Sequence, residues 1–322
     1  MFAGSSLAEK RLTTVSPIDH LDVELRVIAR TEGDTQNAID NGCKLVRKVK
    51  TLRAVVCPQE VAQSLGLEED IQVFALAATS NTQIKADIVH ASGNTGIGRK
   101  VVVIDTGYNY NHPELASSYL GGKDFVNGDN DPMDDNGHGS HVAGIITADG
   151  VDAQAKGVAP DAGVLAAKSL DARGSGYFSD VIAAIYWAVD GPDGIAGTTD
   201  DFYPDAINLS LGTARPYTYR GYCDSVFPDM TTAIKHAVGR GAVVVVAAGN
   251  EGKSGVSIPG CISYSTTVGA VSSNDVVASF SGRGKAVDIT APGVSIYSST
   301  LGSSYASWSG TSMSTPMAAC VA

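Results

Sequence analysis

The chain has 322 residues and is short of charge: Asp, Glu, Lys and Arg make up 18 % of it, against about 25 % in an ordinary globular protein. With 43 % hydrophobic residues, that shortage excludes a disordered chain and leaves material for a sizeable core. A cationic excess is missing too. The 23 basic and 34 acidic side chains give a net charge of −11, which argues against the basic face of a nucleic-acid binder. No apolar run approaches the roughly 18 residues of a membrane span; the longest is Ala242–Gly249. The five cysteines (Cys43, Cys57, Cys223, Cys261, Cys320) form no Cys-x-x-Cys pair, which argues against a zinc or thioredoxin-like centre. Met1–Leu12 lacks the apolar core of a signal peptide, so either a leader has been removed or export does not use that route. There is no internal repeat and no low-complexity tract.

What is present falls into two regimes. In the first, Leu21–Ile28 alternates apolar and polar residues and predicts a half-buried strand. Asp34–Asn41 predicts a helix, Lys44–Val56 two short strands, Pro58–Leu65 a short helix, and Ile71–Leu76 a last strand. That order fits a small α+β sandwich of ferredoxin-like type. Ala77–Gln83 is small and polar and reads as a linker. From Lys100 onward, apolar runs at Val101–Ile104, Val164–Lys168, Ala206–Leu211, Ala242–Ala248 and Thr266–Val271 alternate with helical stretches at His141–Ala148, Ser179–Val189 and Met230–Val238. Continuous Val/Ile runs mark strands buried on both faces. The predicted fold is therefore α/β, a mostly parallel central sheet with helices on both faces, preceded by the small α+β unit. The 36 glycines add many tight turns.

In such sheets the site lies at the carboxyl ends of the strands. Asp105-Thr106-Gly107 follows the first run, and Gly249-Asn250-Glu251 follows the Ala242 run. Asn136-Gly137-His138-Gly139 precedes a helix, and Ser309-Gly310-Thr311-Ser312-Met313 lies near the C-terminus. Each alone is an ordinary turn or cap. Together they set an Asp, a His and a Ser in one of the known chain orders of a catalytic triad. With Gly-His-Gly-Ser-His-Val-Ala-Gly and Ala-Ala-Gly-Asn-Glu, the chain from about Asn94 to Cys320 resembles the subtilisin-like serine proteases.

The resemblance implies a serine endopeptidase in which Ser312 is nucleophile, His138 general base and Asp105 its orienting carboxylate, with Asn250 donating to the oxyanion. Both the chain order and the oxyanion-binding asparagine are those known from subtilisin itself. A serine hydroxyl needs such a base, and a helix start at Thr311 offers free N–H groups for developing negative charge. Gly174-Ser175-Gly176 and Ser210-Leu211-Gly212 match the two family segments that pair with an extended peptide, and Ala247-Ala248-Gly249 one wall of the specificity pocket, with Glu251 at its rim. Residues 1–80 match an inhibitory propeptide with a cleavable linker near 77–83. Residues 84–322 match the catalytic domain, which the family continues with further helices beyond Ala322. The implied protein is a secreted or extracellular monomeric zymogen, acting on proteins or peptides and inhibited by its own propeptide.

Beyond residue 80, only Glu114 and Glu251 of the acids are glutamates. Structural Ca²⁺ is the expected cofactor, with Glu114 and Asp149 at one candidate site and Asp190, Asp193, Asp200 and Asp201 at another. The family also implies a Cys223–Cys261 disulfide, while Cys320 is expected as a buried small residue. Four other readings compete. A His138/His141 metal pair lacks the HExxH pattern. An α/β-hydrolase needs a Gly-x-Ser-x-Gly elbow that is absent, and the Gly93–Gly98 run precedes a strand where a dinucleotide fingerprint follows one. An inactive or truncated relative that binds peptides without cutting them is the remaining alternative.

Overall fold

The computed structural model describes residues 24–75 and 82–321. Met1–Leu12, the start of the Leu21 strand, Leu76, most of the linker and Ala322 lie outside the described residues.

The small unit runs β1 (Glu24–Ala29), α1 (Glu32–Asp40), β2 (Lys44–Val49), β3 (Leu52–Pro58), α2 (Gln59–Ser64), β4 (Glu68–Glu69) and β5 (Gln72–Ala75). Its sheet has the order β2-β3-β1-β4, the ferredoxin-like arrangement. Thr31 starts α1 with a capping box, its side chain accepting from the Asp34 N–H while Asp34 accepts from the Thr31 N–H. The period of β1 divides the sheet. Val27 joins Ala38, Cys43, Val55, Cys57 and Ala62 under the unit's own helices. Ile28 points the other way, into the core of the large unit. The last predicted strand exists, but its place differs from the expectation. Two-residue β4 completes the small sheet, and β5 leaves it to pair with the large unit.

The large unit follows with α3 (Ala86–Ala91), β6 (Lys100–Asp105), β7 (Tyr119–Asp124), α4 (His138–Thr147), β8 (Gly163–Lys168), β9 (Ser175–Tyr177), α5 (Phe178–Asp190), β10 (Ala206–Leu209) and β11 (Leu211–Gly212). It continues with β12 (Thr218–Tyr219), α6 (Pro228–Gly239), β13 (Val243–Ala247), β14 (Val256–Ser257), β15 (Thr266–Val271), β16 (Ile289–Pro292), β17 (Ile296–Ser299), β18 (Tyr305–Trp308) and α7 (Thr311–Ala319). Seven strands in the order β16-β15-β13-β10-β6-β8-β7 make a wholly parallel sheet. Alternate residues of its apolar runs serve opposite faces. Val101, Val103 and Val245 pack with α4 and α7. Val102, Ile104, Val244 and Val246 pack with α5 and α6, and through them with the small unit.

Disulfides join Cys43 to Cys57 and Cys223 to Cys261. The second matches the expectation and the first was not foreseen. Cys320 is free and partly exposed, where burial was expected. Among the described residues, no helix is long and apolar enough to cross a membrane.

Candidate active site

Asp105 is the last residue of β6 and His138 the first of α4. Their side chains meet at 2.7 Å, His138 Nδ1 to Asp105 Oδ1, and both are buried. The glycines beside them explain the approach. A Cβ on Gly139 would lie 2.1 Å from the Gly107 carbonyl oxygen, so the two backbones touch where neither carries a side chain. Gly107 also holds a φ of +128°, a region closed to most other residues.

Ser312 lies in the first turn of α7, so its N–H has no partner four residues back in the helix. Pro316 shapes the surroundings further. It has no N–H to give to the Ser312 carbonyl, and the Ser210 hydroxyl donates there instead, at 2.6 Å. The Asn208 side-chain amide donates in turn to that hydroxyl at 2.8 Å. The Ser312 hydroxyl returns the contact, donating to the Ser210 carbonyl at 2.8 Å. Asn250 Oδ1 accepts from the Thr311 N–H at 3.0 Å and the Thr311 hydroxyl at 3.2 Å. With its oxygen fixed on those donors, its NH₂ group faces away from Thr311. Helix α7 packs on α4, which begins at His138.

The two predicted peptide-pairing segments flank a strand of the chain itself. β5 lies antiparallel between β9 and β11, with Val73 opposite Gly176, Phe74 opposite Ser175 and Gly212, and Ala75 opposite Leu211. Gly174 precedes this edge, and Ser210 joins β10 to β11. Ala247 ends β13, and Ala248 and Gly249 follow it, all buried. Glu251 is already paired with Arg215 at 2.5 Å. His141 is buried, stacks on Trp308 and binds the Ala306 carbonyl at 3.0 Å. Burial pushes its pKa down to about 3 and keeps it neutral, which suits a packing role.

Sequence and fold both have counterparts in known proteins. The profile described as Subtilase family matches residues 96–322. The chain belongs to the subtilase family. It is 43 % identical over 220 residues to the thermophilic serine proteinase of Bacillus sp. (strain AK1), covering 68 % of this chain and 50 % of that protein. It is 40 % identical over 240 residues to subtilisin E of Bacillus subtilis (strain 168), covering 73 % of this chain and 57 % of that protein. The crystal structure of a cold adapted subtilisin-like serine proteinase superposes with a TM-score of 0.60 at 34 % identity, over 70 % of this chain and 74 % of that one. The chain thus spans about half the length of these curated relatives.

The calcium candidates in this subtilase have other partners. Glu114 accepts from the N–H groups of Gly150, Val151 and Asp152 at 2.7, 3.0 and 2.7 Å, and from the Tyr305 hydroxyl at 2.8 Å. Donors fill the positions where a cation would bind, so this carboxylate does not fit Ca²⁺. Asp149 accepts from Ser117. Asp190 pairs with Lys50 and His236, both at 2.7 Å. Asp201 pairs with Arg240 at 2.6 Å, Asp193 accepts from the Ile195 N–H, and Asp200 accepts from the Asp193 N–H and the Thr198 hydroxyl. Among the described residues, no group of three or more His, Cys, Asp and Glu side chains could hold a metal ion. Sequence reasoning missed two buried residues beside the Asp105–His138 pair, Asp134 and Lys168. An Asp four positions before His138 and a Lys ending an apolar run were the available signals.

Proposed function

We propose that this subtilase is a serine endopeptidase made as a self-inhibited zymogen. The observation that carries the reading is the 2.7 Å Asp105–His138 contact at the carboxyl end of the sheet, with Ser312 and the oriented Asn250 amide at the start of the neighbouring α7. The Ser312 hydroxyl turns from the Ser210 carbonyl to His138 Nε2, gives up its proton there and attacks the peptide carbonyl carbon. The Ser312 N–H and Asn250 Nδ2 bind the resulting oxyanion. Asp105 steadies the imidazolium, which hands the proton to the leaving amine. Water then repeats the sequence on the acyl-enzyme with His138 again as base.

The small unit is the propeptide in this reading. Support comes from β5, which occupies the slot between β9 and β11 as a bound peptide would. Cleavage falls in the 77–83 linker. An extracellular site of action is supported by the two disulfides. Proteins or peptides are the substrates, and the enzyme works as a monomer. The test is incubation of the full chain with casein, beside Ser312→Ala, while following mass loss from the N-terminus. Cleavage and self-processing in the wild type alone are expected. Equal behaviour of the two proteins overturns the proposal.

A further inference from the structure

Two buried groups of opposite charge lie on either side of the Asp105–His138 pair. Asp134 accepts five hydrogen bonds. One comes from the Thr106 hydroxyl at 2.9 Å, and two from the Ser140 N–H and hydroxyl at 2.8 and 2.6 Å. The others come from the N–H groups of Asn136 and Gly137 at 3.0 and 2.9 Å. The Thr106 hydroxyl also accepts from the Gly139 N–H at 2.8 Å, and the Thr106 N–H donates to Asp105 Oδ1 at 2.7 Å. Asp134 therefore ties the backbone on both sides of His138 to the residue that follows Asp105. Burial alone would raise its pKa, but the bonds from Gly137, Ser140 and Asn136 outweigh it and hold the carboxyl below its usual value.

Lys168 ends β8, directly opposite Asp105 in the sheet, and is 1 % exposed. Its ammonium donates to the Thr106 carbonyl at 2.6 Å, to Asp135 at 2.5 Å and to the Leu170 carbonyl at 3.3 Å. Leu170 bridges to Gly176 on the β9 edge. Asn136, next to Asp135, donates to the Ala172 carbonyl at 3.1 Å in the same segment. One buried cation thus meets the Asp105 turn, the His138 loop and the segment leading to the peptide-pairing edge.

We infer that Asp134 and Lys168 are positioning residues that lock Asp105, His138 and the β9 edge in one geometry. The inference rests on the proposed peptidase reading. A buried ammonium otherwise pays heavily for lost hydration, and a purely structural position is filled as well by an apolar residue. Here each of the ammonium's three contacts goes to a different segment of the site.

The experiment uses the full chain and compares wild type, Asp134→Asn, Lys168→Met, Lys168→Arg, Thr106→Val and Ser312→Ala. Self-cleavage rate, casein turnover and KM are followed from pH 5 to 9, with circular dichroism on each protein. The charged and titratable groups around His138 are Asp105 on β6, Asp134 and Asp135 on the loop, Lys168 on β8 and His141 on α4. Losing the Asp134 charge withdraws support from the imidazolium, so the acid limb of the pH–rate profile moves to lower pH. Losing the Lys168 charge moves it to higher pH, by about half a unit in either case. Turnover falls about 10–100-fold in Asp134→Asn at unchanged KM, as misplacement of a catalytic group predicts. Lys168→Met loses turnover and also gains in KM, because its carbonyl contact reaches the β9 segment; Lys168→Arg returns the limb to its wild-type position. Thr106→Val, which removes only a hydroxyl, loses turnover with the limb unmoved, and it decides the matter if a charge variant fails to fold. Wild-type turnover and profile in a folded Thr106→Val, or in both charge variants, overturns the inference while the peptidase reading stands. A wild type whose cleavage does not depend on Ser312 overturns the peptidase reading first, and this inference with it.

Discussion

In the large unit a seven-stranded sheet is covered on both faces by helices of the same unit, and its buried apolar residues form continuous clusters. The small unit has six residues in its own core, and the other face of its sheet completes itself only on α5 and α6 of the larger one. That face is held by charge as well as by packing. Arg26 and Arg47 both pair with Asp180, Lys50 pairs with Asp190, and Arg30 pairs with Asp229. Each of these cations also lies over an aromatic ring of the large unit: Arg26 over Tyr177, Arg47 over Phe125, Lys50 over Tyr186 and Arg30 over Phe227. A unit of about 50 residues rarely stabilises itself without a staple or a partner. The larger unit thus buries its sheet largely on its own helices, whereas the smaller one leans on its disulfide and on its neighbour.

The staple gives the strongest way to break that comparison. Cys43–Cys57 closes a loop with a sequence separation of 14 inside the small core. Loops of that size gain about 3 kcal/mol from a disulfide. The double variant Cys43→Ala/Cys57→Ala is expected to speed hydrogen exchange in β1 and β3 by about 10²-fold while β6 and β13 keep their protection. Unchanged exchange in β1 would show that the small unit stands without its staple.

Buried carboxylates of the large unit are satisfied differently at the interface and in its interior. Those of the small-unit interface face cations, whereas Glu114 faces backbone N–H groups and a tyrosine hydroxyl. Glu114→Gln turns an NH₂ group toward those donors and is expected to cost about 2 kcal/mol. In a domain of this size that lowers Tm by about 4–8 °C in a thermal melt. Added Ca²⁺ or chelator is expected to leave the wild-type melt in place; a marked rise with Ca²⁺ would return Glu114 to the role read from sequence.

Why that role was read, and why the interface was not, follows from what sequence patterns report. The buried runs Val101–Ile104 and Thr266–Val271 are visible because parallel strands covered on both faces must be apolar throughout. Edge strand β7 carries Gly121 and Gly122 and has no such run, and β4 has only two residues, so neither shows. Asp105, His138, Asn250 and Ser312 stand in distinctive local motifs, whereas Asp134 and Lys168 are defined by what they touch. A carboxylate in a loop looks the same whether it awaits a cation or three N–H groups. Alternation in β1 likewise places Arg26 on a polar face, and a lone strand cannot say whether that face meets water or another unit.

Arg26 and Arg47 supply the gentlest test. Asp180 is 4 % exposed and accepts from both guanidiniums, at 3.0 and 2.7 Å, while the arginine side chains keep 15 % and 21 % of their surface in solvent. A partly exposed pair is weakened by salt, and its worth is discounted for screening. Asp180→Asn is therefore expected to loosen the small unit by only about 1 kcal/mol, read as roughly 5-fold faster exchange in β1 at low ionic strength. Raising NaCl to about 1 M should loosen the wild type by a similar factor and the variant by less, because the variant has already lost the charge that salt screens. Equal salt responses in the two proteins would mean that Asp180 contributes nothing that salt screens, leaving the apolar contacts of Ile28, Leu52 and Ala54 with the Lys50–Asp190 and Arg30–Asp229 pairs to hold the small sheet in place.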